Sequence, residues 1–263
     1  MMGDGVTGSL SNGGTEGGPF NLLGWLDYSL FVDFDGTLVE LAERPEQVLV
    51  TAQLMATLAR LQQLLGGRLA VISGRPIAQI DAMLFPLALP VAGVHGLERR
   101  GADGIARQAL IPDMAVVQVA AHALAAAQPG LWVEQKYGAL AVHYRQVPEL
   151  GPLVDAVMFE AVNRCPGTIL LKGKMVAEVK PAGIDKGTAI RDFMAEAPFA
   201  GHLAVFAGDD MTDEAGFAMV QQAGGAGIKV GPGPSIAQFR IDSPGALYTA
   251  LDQVVHTLSR RNG

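Results

Sequence analysis

Short apolar runs that stop abruptly at a polar residue recur along this chain. Ser29-Leu30-Phe31-Val32 ends at Asp33, Leu69-Ala70-Val71-Ile72 at Ser73, and Leu203-Ala204-Val205-Phe206-Ala207 at Gly208-Asp209. Val91 to Val94 runs into His95-Gly96, and Gly227 to Val230 supplies another short run. Unbroken apolar runs of this length read as strands buried on both faces, the habit of a parallel sheet. Helical patterns lie between them. Thr51 opens one, with Leu54, Leu58, Leu61 and Leu65 on a single stripe, stopped by Gly66-Gly67. Pro76 suits the first turn of the next helix. Strand alternating with helix predicts an α/β fold: a doubly wound, mostly parallel sheet with right-handed crossovers.

The middle of the chain follows another rhythm. From about 112 to 180 the pattern reads helix, strand pair, helix, strand pair, with strands near 131–136, 138–145, 168–172 and 174–180. Adjacent strand pairs predict an antiparallel sheet, hence a small α/β domain over 112–180 inserted between core segments 25–111 and 181–263. Strand alternation places Glu134 with Lys136 on one face, and likewise His143 with Arg145, and Lys174 with Glu178 and Lys180. Leu140, Val142 and Tyr144, with Met175, Ala177 and Val179, take the opposite face against the inserted helices. A solvated outer face accounts for the charged set as readily as a binding face does. Residues 1–24 are rich in Gly, Ser, Thr and Asn and read as a flexible tail, with the fold beginning near Trp25 or Asp27.

Composition narrows the classes. Of 263 residues, 49% are apolar and 17% charged, which describes a globular chain able to bury a core. The net charge of −7 argues against a nucleic-acid surface. No stretch approaches the ~18 apolar residues that span a bilayer, so no membrane partner is expected. The single cysteine, Cys165, excludes an internal disulfide framework, fits a cytoplasmic location and reads as a buried small residue. The chain is compatible with a monomer.

Candidate chemistry collects at the strand ends, where open α/β sheets bind ligands. In Asp33-Phe34-Asp35-Gly36-Thr37-Leu38 the first carboxylate can attack phosphorus. The second can protonate the leaving oxygen and later activate water. Gly36 lets the chain turn away sharply. An ordinary acidic turn accounts for Asp-X-Asp-Gly alone about as well. Ser73-Gly74-Arg75 can hold a phosphoryl oxygen through the Ser73 hydroxyl and nearby N–H groups; for Arg75 a salt-bridged or solvated role fits equally. Lys186, opening a helix after Gly183-Ile184-Asp185, can neutralise phosphoryl oxygens and restrain Asp33, although a surface lysine is the plainer reading. Gly208-Asp209-Asp210-Met211-Thr212-Asp213-Glu214 crowds carboxylates that repel unless a hard cation draws them together. Magnesium fits Asp33, Asp209 and a bound phosphate. Asp213 and Glu214 are explained equally by a helix N-terminus, so they rank below Asp209.

These four elements, in this order and with an insertion between the second and third, resemble the haloacid dehalogenase superfamily of phosphatases from about residue 27 to the end. The resemblance implies Asp33 as nucleophile, Asp35 as general acid/base, and Ser73 and Lys186 as phosphate ligands, with Gly74 and Arg75 beside Ser73. It implies magnesium held by Asp33, Asp209 and the carbonyl of Asp35, with Asp210 in the same acidic cluster. The strings from Glu134 to Arg145 and from Gly173 to Pro181, with Gly93-Val94-His95-Gly96-Leu97-Glu98 before them, look like the cap region of the trehalose-6-phosphate phosphatase family. That family removes the phosphate of trehalose 6-phosphate, the last step of trehalose synthesis. Its sugar-contacting positions correspond to Glu134, Lys136, Arg145, Lys174 and Glu178. Mixed Glu, Lys and Arg suits a disaccharide, whose hydroxyls both donate and accept.

Three alternatives stand beside this expectation. The first is a capped phosphatase for another sugar phosphate, such as sucrose 6-phosphate or a mannosyl-glycerate phosphate. A signalling receiver domain also combines an acidic cluster, a phosphorylated Asp and a Lys, but Asp35 promotes turnover over storage. An inert sugar-phosphate sensor would be expected to lack Asp33 or Asp35.

Overall fold

The computed structural model describes residues 27–42, 47–173 and 175–261; the expected 1–24 tail, Trp25 and Lys174 lie outside them. Its larger sheet has eight strands in the order β12-β11-β10-β1-β2-β3-β4-β5. The inner strands are β1 (Tyr28–Val32), β2 (Leu69–Ile72), β3 (Val91–Gly93), β10 (Leu203–Gly208) and β11 (Ala226–Val230), mutually parallel where they pair. Both faces of β1 are covered, as an unbroken apolar run requires. Leu30 and Val32 point into one core cluster, and Phe31 points into another with Phe193, Phe199, Phe206 and Phe217. Phe31 stacks on Phe199 at 5.4 Å.

The helix expected at Thr51 is α1 (Ala52–Leu64). The Thr51 hydroxyl accepts from Leu54 N, and Leu54, Leu58, Leu61 and Leu65 are buried. Pro76 stands one residue earlier than expected, as the N-cap of α2 (Ile77–Leu84). The remaining core helices are α5 (Lys186–Met194), α6 (Glu214–Gln222) and α7 (Pro244–Arg261). An antiparallel extension, β4 (Glu98–Arg100) and β5 (Ala106–Gln108), and the short edge strand β12 (Phe239–Ile241) are additions to the expected sheet.

The smaller sheet is antiparallel throughout, in the order β6-β7-β9-β8. Its strands are β6 (Trp132–Lys136), β7 (Ala139–His143), β8 (Thr168–Gly173) and β9 (Val176–Pro181). Leu140, Val142, Ala177 and Val179 turn inward onto α3 (Ala115–Ala127) and α4 (Gly151–Asn163), with Cys165 buried among them. Met175 departs from the expected face. It occupies the β8–β9 turn at φ +62° and is exposed, because alternation ends where the strand ends.

Candidate active site

In the order β10-β1-β2, Val32 pairs with Ala207 on one side and Val71 on the other. Asp209, Asp33 and Ser73 therefore emerge beside one another past the carboxyl ends of three neighbouring strands. Asp33 is buried, and its Oδ1 accepts from Lys186 Nζ at 2.8 Å. Lys186 is the first residue of α5. It is held there by a capping box in which the Asp185 carboxylate accepts from Thr188 N while Asp185 N donates to Thr188 Oγ1.

The same Lys186 ammonium donates to Asp213 Oδ1 at 2.8 Å. Asp213 Oδ2 accepts from the N–H groups of Asp209 and Asp210, both at 3.0 Å. Fully buried, Asp213 thus ties the loop after β10 to the lysine that grips Asp33. From sequence alone Asp213 ranks below Asp209, since a helix N-terminus accounts for it. The signals were its four-residue step from Asp209 and the preceding Gly208, where a Cβ would lie 2.3 Å from Asp213 Cγ. Asp210 instead turns into its own loop, accepting from Thr212 N at 2.8 Å and Thr212 Oγ1 at 2.6 Å. Glu214 accepts from Ile236 N, a structural bond.

Asp33, Asp209 and Asp213 each offer a carboxylate oxygen, all within 4.8 Å of one another. Burial pushes Asp33 up to about 7 against the pull of Lys186, and burial with Asp210 and Asp213 pushes Asp209 up to about 6. Burial lowers the tendency of Lys186 to hold its proton, but Asp213 and Asp33 outweigh it, so the ammonium persists. One lysine cannot neutralise this many carboxylates, and a hard divalent cation fits the donor set.

Asp35 lies at the entrance. Arg75 grips it with a two-pronged ion pair, Nε to Oδ2 and Nη2 to Oδ1, both at 2.6 Å. Its guanidinium carbon lies 5.9 Å from the centroid of the Phe34 ring. Of the two readings open for Arg75, the structure displays the salt-bridged one. The turn between the carboxylates demands glycine: Gly36 has φ +76°, and a Cβ there would lie 2.2 Å from Asp209 Oδ2. Buried Ser73 accepts from Arg75 N at 3.1 Å through Oγ. Gly74 lies under the His95 ring, which leaves no room for a side chain there: a Cβ would be 2.8 Å from His95 Cε1. His95 carried no assigned role in the sequence. It holds φ +55°, and its Nδ1 is buried without a hydrogen bond. Burial first, then Lys186, Lys180 and Lys136, push the imidazole down to about 3.

Across from this edge stands the polar face of the smaller sheet, and a cleft of about 690 Å³ separates the two. Asp35, Gly74, Arg75, Pro76 and Gln79 line one wall; Trp132, Glu134, Lys136, His143, Arg145 and Gln146 line the other. Glu134 accepts from His143 Nε2 at 3.0 Å, and Lys136 Nζ lies 3.7 Å from it. The His143 bond draws Glu134 below the usual carboxylate range although burial opposes it. In register, Ala141 sits between Glu134 and Glu178, leaving a trough flanked by carboxylates. Glu178 Oε1 is buried without a partner, and burial raises its carboxyl despite Lys136 and Lys180. An orphaned buried acceptor of this kind calls for a donor. Lys174 lies outside the described residues.

Known proteins share this sequence and architecture. A family model of trehalose-phosphatases matches residues 31–244. The Escherichia coli (strain K12) trehalose-6-phosphate phosphatase is 39% identical over 236 residues, covering 89% of each chain. The solved C-terminal domain of C. albicans trehalose-6-phosphate phosphatase superposes with a TM-score of 0.75 at 20% identity, covering 88% of this chain and 92% of that one. A haloacid dehalogenase-like hydrolase from Bacteroides thetaiotaomicron superposes at 0.66 and 16% identity over 86% and 99%, so the core fold is the one that hydrolase shares. With the family model spanning both sheets, and a relative of this identity matched over nearly its whole length, the chain belongs to the trehalose-phosphatase family.

Proposed function

We propose that this chain hydrolyses trehalose 6-phosphate to trehalose and inorganic phosphate through an aspartyl-phosphate. The observation that carries the reading is the cleft in which Asp35, Gly74 and Arg75, beside the buried Asp33–Lys186 couple in sequence and strand order, face Glu134, Lys136 and Arg145 of the smaller sheet, with the unpartnered acceptor of Glu178 one strand further in register. Asp33 attacks phosphorus, and the bond from phosphorus to the sugar oxygen breaks. Asp35, released from its ion pair as Arg75 turns to the phosphoryl oxygens, takes a proton from solvent and gives it to that leaving oxygen. It then takes a proton from the water that attacks the aspartyl-phosphate, releasing phosphate and restoring Asp33. Lys186 and Ser73 hold phosphoryl oxygens, with the Gly74 backbone and Arg75 beside them. Asp33, Asp209 and the Asp35 carbonyl, with Asp213 adjacent, would hold magnesium, which would supply charge that keeps Asp33 ionised and offsets that of the phosphoryl group. Residues 112–180 act as a cap that reads the distal sugar and excludes water from the first step.

Among the described residues no helix is long and apolar enough to cross a membrane. The single cysteine supports placing the enzyme in the cytoplasm. A panel of sugar phosphates assayed for phosphate release, with magnesium and with excess chelator, tests the whole reading. Trehalose 6-phosphate should be the fastest substrate, chelator should stop turnover, and Asp33→Asn should be inactive. Full activity in chelator, or a preference for sucrose 6-phosphate or glucose 6-phosphate, would count against it.

A further inference from the structure

Trp132 is a large aromatic side chain left 52% exposed, and it lines the cleft. Its neighbours on β6 show that this position is built. Leu131 and Val133 turn inward against the α3–α4 core, while Trp132, Glu134 and Lys136 take the polar face. Trp132 pairs in register with His143, and the two rings stack with centroids 4.1 Å apart and planes 6° from parallel. His143 is held in turn by its 3.0 Å bond to Glu134. The indole is therefore fixed on one side by an imidazole anchored to a carboxylate. Its exposed surface is the other side, on the wall opposite Arg75, Pro76 and Gln79.

We propose that Trp132 is a specificity-determining residue: it forms the wall against which the non-phosphorylated ring of the disaccharide lies, and it favours two-ring over one-ring sugar phosphates. This rests on the substrate reading above. A pyranose has hydroxyls around its rim and C–H groups on its faces. The rim suits Glu134, Lys136 and Arg145, whereas none of those charged groups complements a C–H face. A flat indole does, and a Trp offers wide, rigid contact area at small conformational cost. Because His143 already holds the ring, little rotamer freedom is lost when sugar binds. A one-ring sugar phosphate anchored at Asp33 has no second ring to place there.

The test uses the full chain. Trp25 is the only other tryptophan, so in an Asp33→Asn/Trp25→Phe enzyme the emission comes from Trp132. Titration with trehalose 6-phosphate should change that emission along the same curve as the heat measured by calorimetry, whereas saturating glucose 6-phosphate should leave it unmoved. In the active enzyme, Trp132→Ala should lower the kcat/KM ratio of trehalose 6-phosphate to glucose 6-phosphate roughly tenfold, mainly through KM, and Trp132→Phe should recover most of it. Heat of binding with unchanged emission, or an unaltered ratio in Trp132→Ala, overturns the proposal and leaves the substrate reading standing. Absence of binding heat with trehalose 6-phosphate, where another sugar phosphate binds, overturns the substrate reading and this proposal with it.

Discussion

His95 shows how much of this site is decided by single residues whose chemistry is hidden in sequence. Its buried, unpartnered Nδ1 and its position among Lys186, Lys180 and Lys136 favour the neutral ring, moving its pKa from 6.5 to about 3. The folded state therefore refuses a proton that the unfolded chain accepts. The associated stability is fully present above about pH 6.5 and is lost as pH falls towards 3. Replacement by Asn, which tolerates positive φ and does not titrate, removes this dependence. Denaturant midpoints measured from pH 7 to 4 should fall more steeply for the parent than for His95→Asn, by up to about 1.4 kcal/mol per pH unit. Parallel profiles would refute it. Nothing in the string Gly93 to Glu98 announced this, because a histidine's burial depends on residues far away in sequence. Asp33, Ser73 and Asp209 were legible for the opposite reason: each ends an apolar run, so its own neighbours report its position.

Among elements, α5 has a task that its length does not suggest. It presents Lys186 from its first turn, where side-chain direction depends on how the helix begins. The reciprocal bonds of Asp185 and Thr188 set that beginning. Asp185→Ala should cost about 1 kcal/mol of stability. It should also reduce kcat more than KM for the artificial ester p-nitrophenyl phosphate, since Lys186 would be less firmly held against Asp33. A stability loss with unchanged kcat would confine the cap to a folding role. Regular elements were readable wherever the period ran long enough, as in the Leu54–Leu65 stripe and the four smaller-sheet strands. The missed strands are three residues each, and Glu98-Arg99-Arg100 is charged throughout. That strand is supported instead by ion pairs, Arg99 with Glu196 and Arg100 with Asp81, which no local pattern reveals.

At the scale of the molecule, the function proposed above gives phosphate to the larger sheet and sugar to the smaller, and Glu178 tests that division. Losing a buried hydrogen bond whose partner is left unpaired costs ~1–3 kcal/mol. Glu178→Ala should therefore cut kcat/KM for trehalose 6-phosphate roughly ten- to a hundred-fold. Hydrolysis of p-nitrophenyl phosphate, which is too small to reach the cap, should change little. Equal losses on both substrates would instead indicate a closure defect, and no loss on either would make the face a solvated one. The Asp33–Lys186 contact that anchors the site has a further consequence, for the order in which the chain becomes an enzyme. Its two residues are 153 positions apart, and β1 lies between β2, made soon after it, and β10, made long after. During synthesis the strand that carries Asp33 has one neighbour and an open edge until the smaller sheet and β10 have both been delivered. A nascent or truncated chain ending before residue 186 thus holds Asp33 without its counter-charge, and the appearance of phosphatase activity marks the completion of the fold.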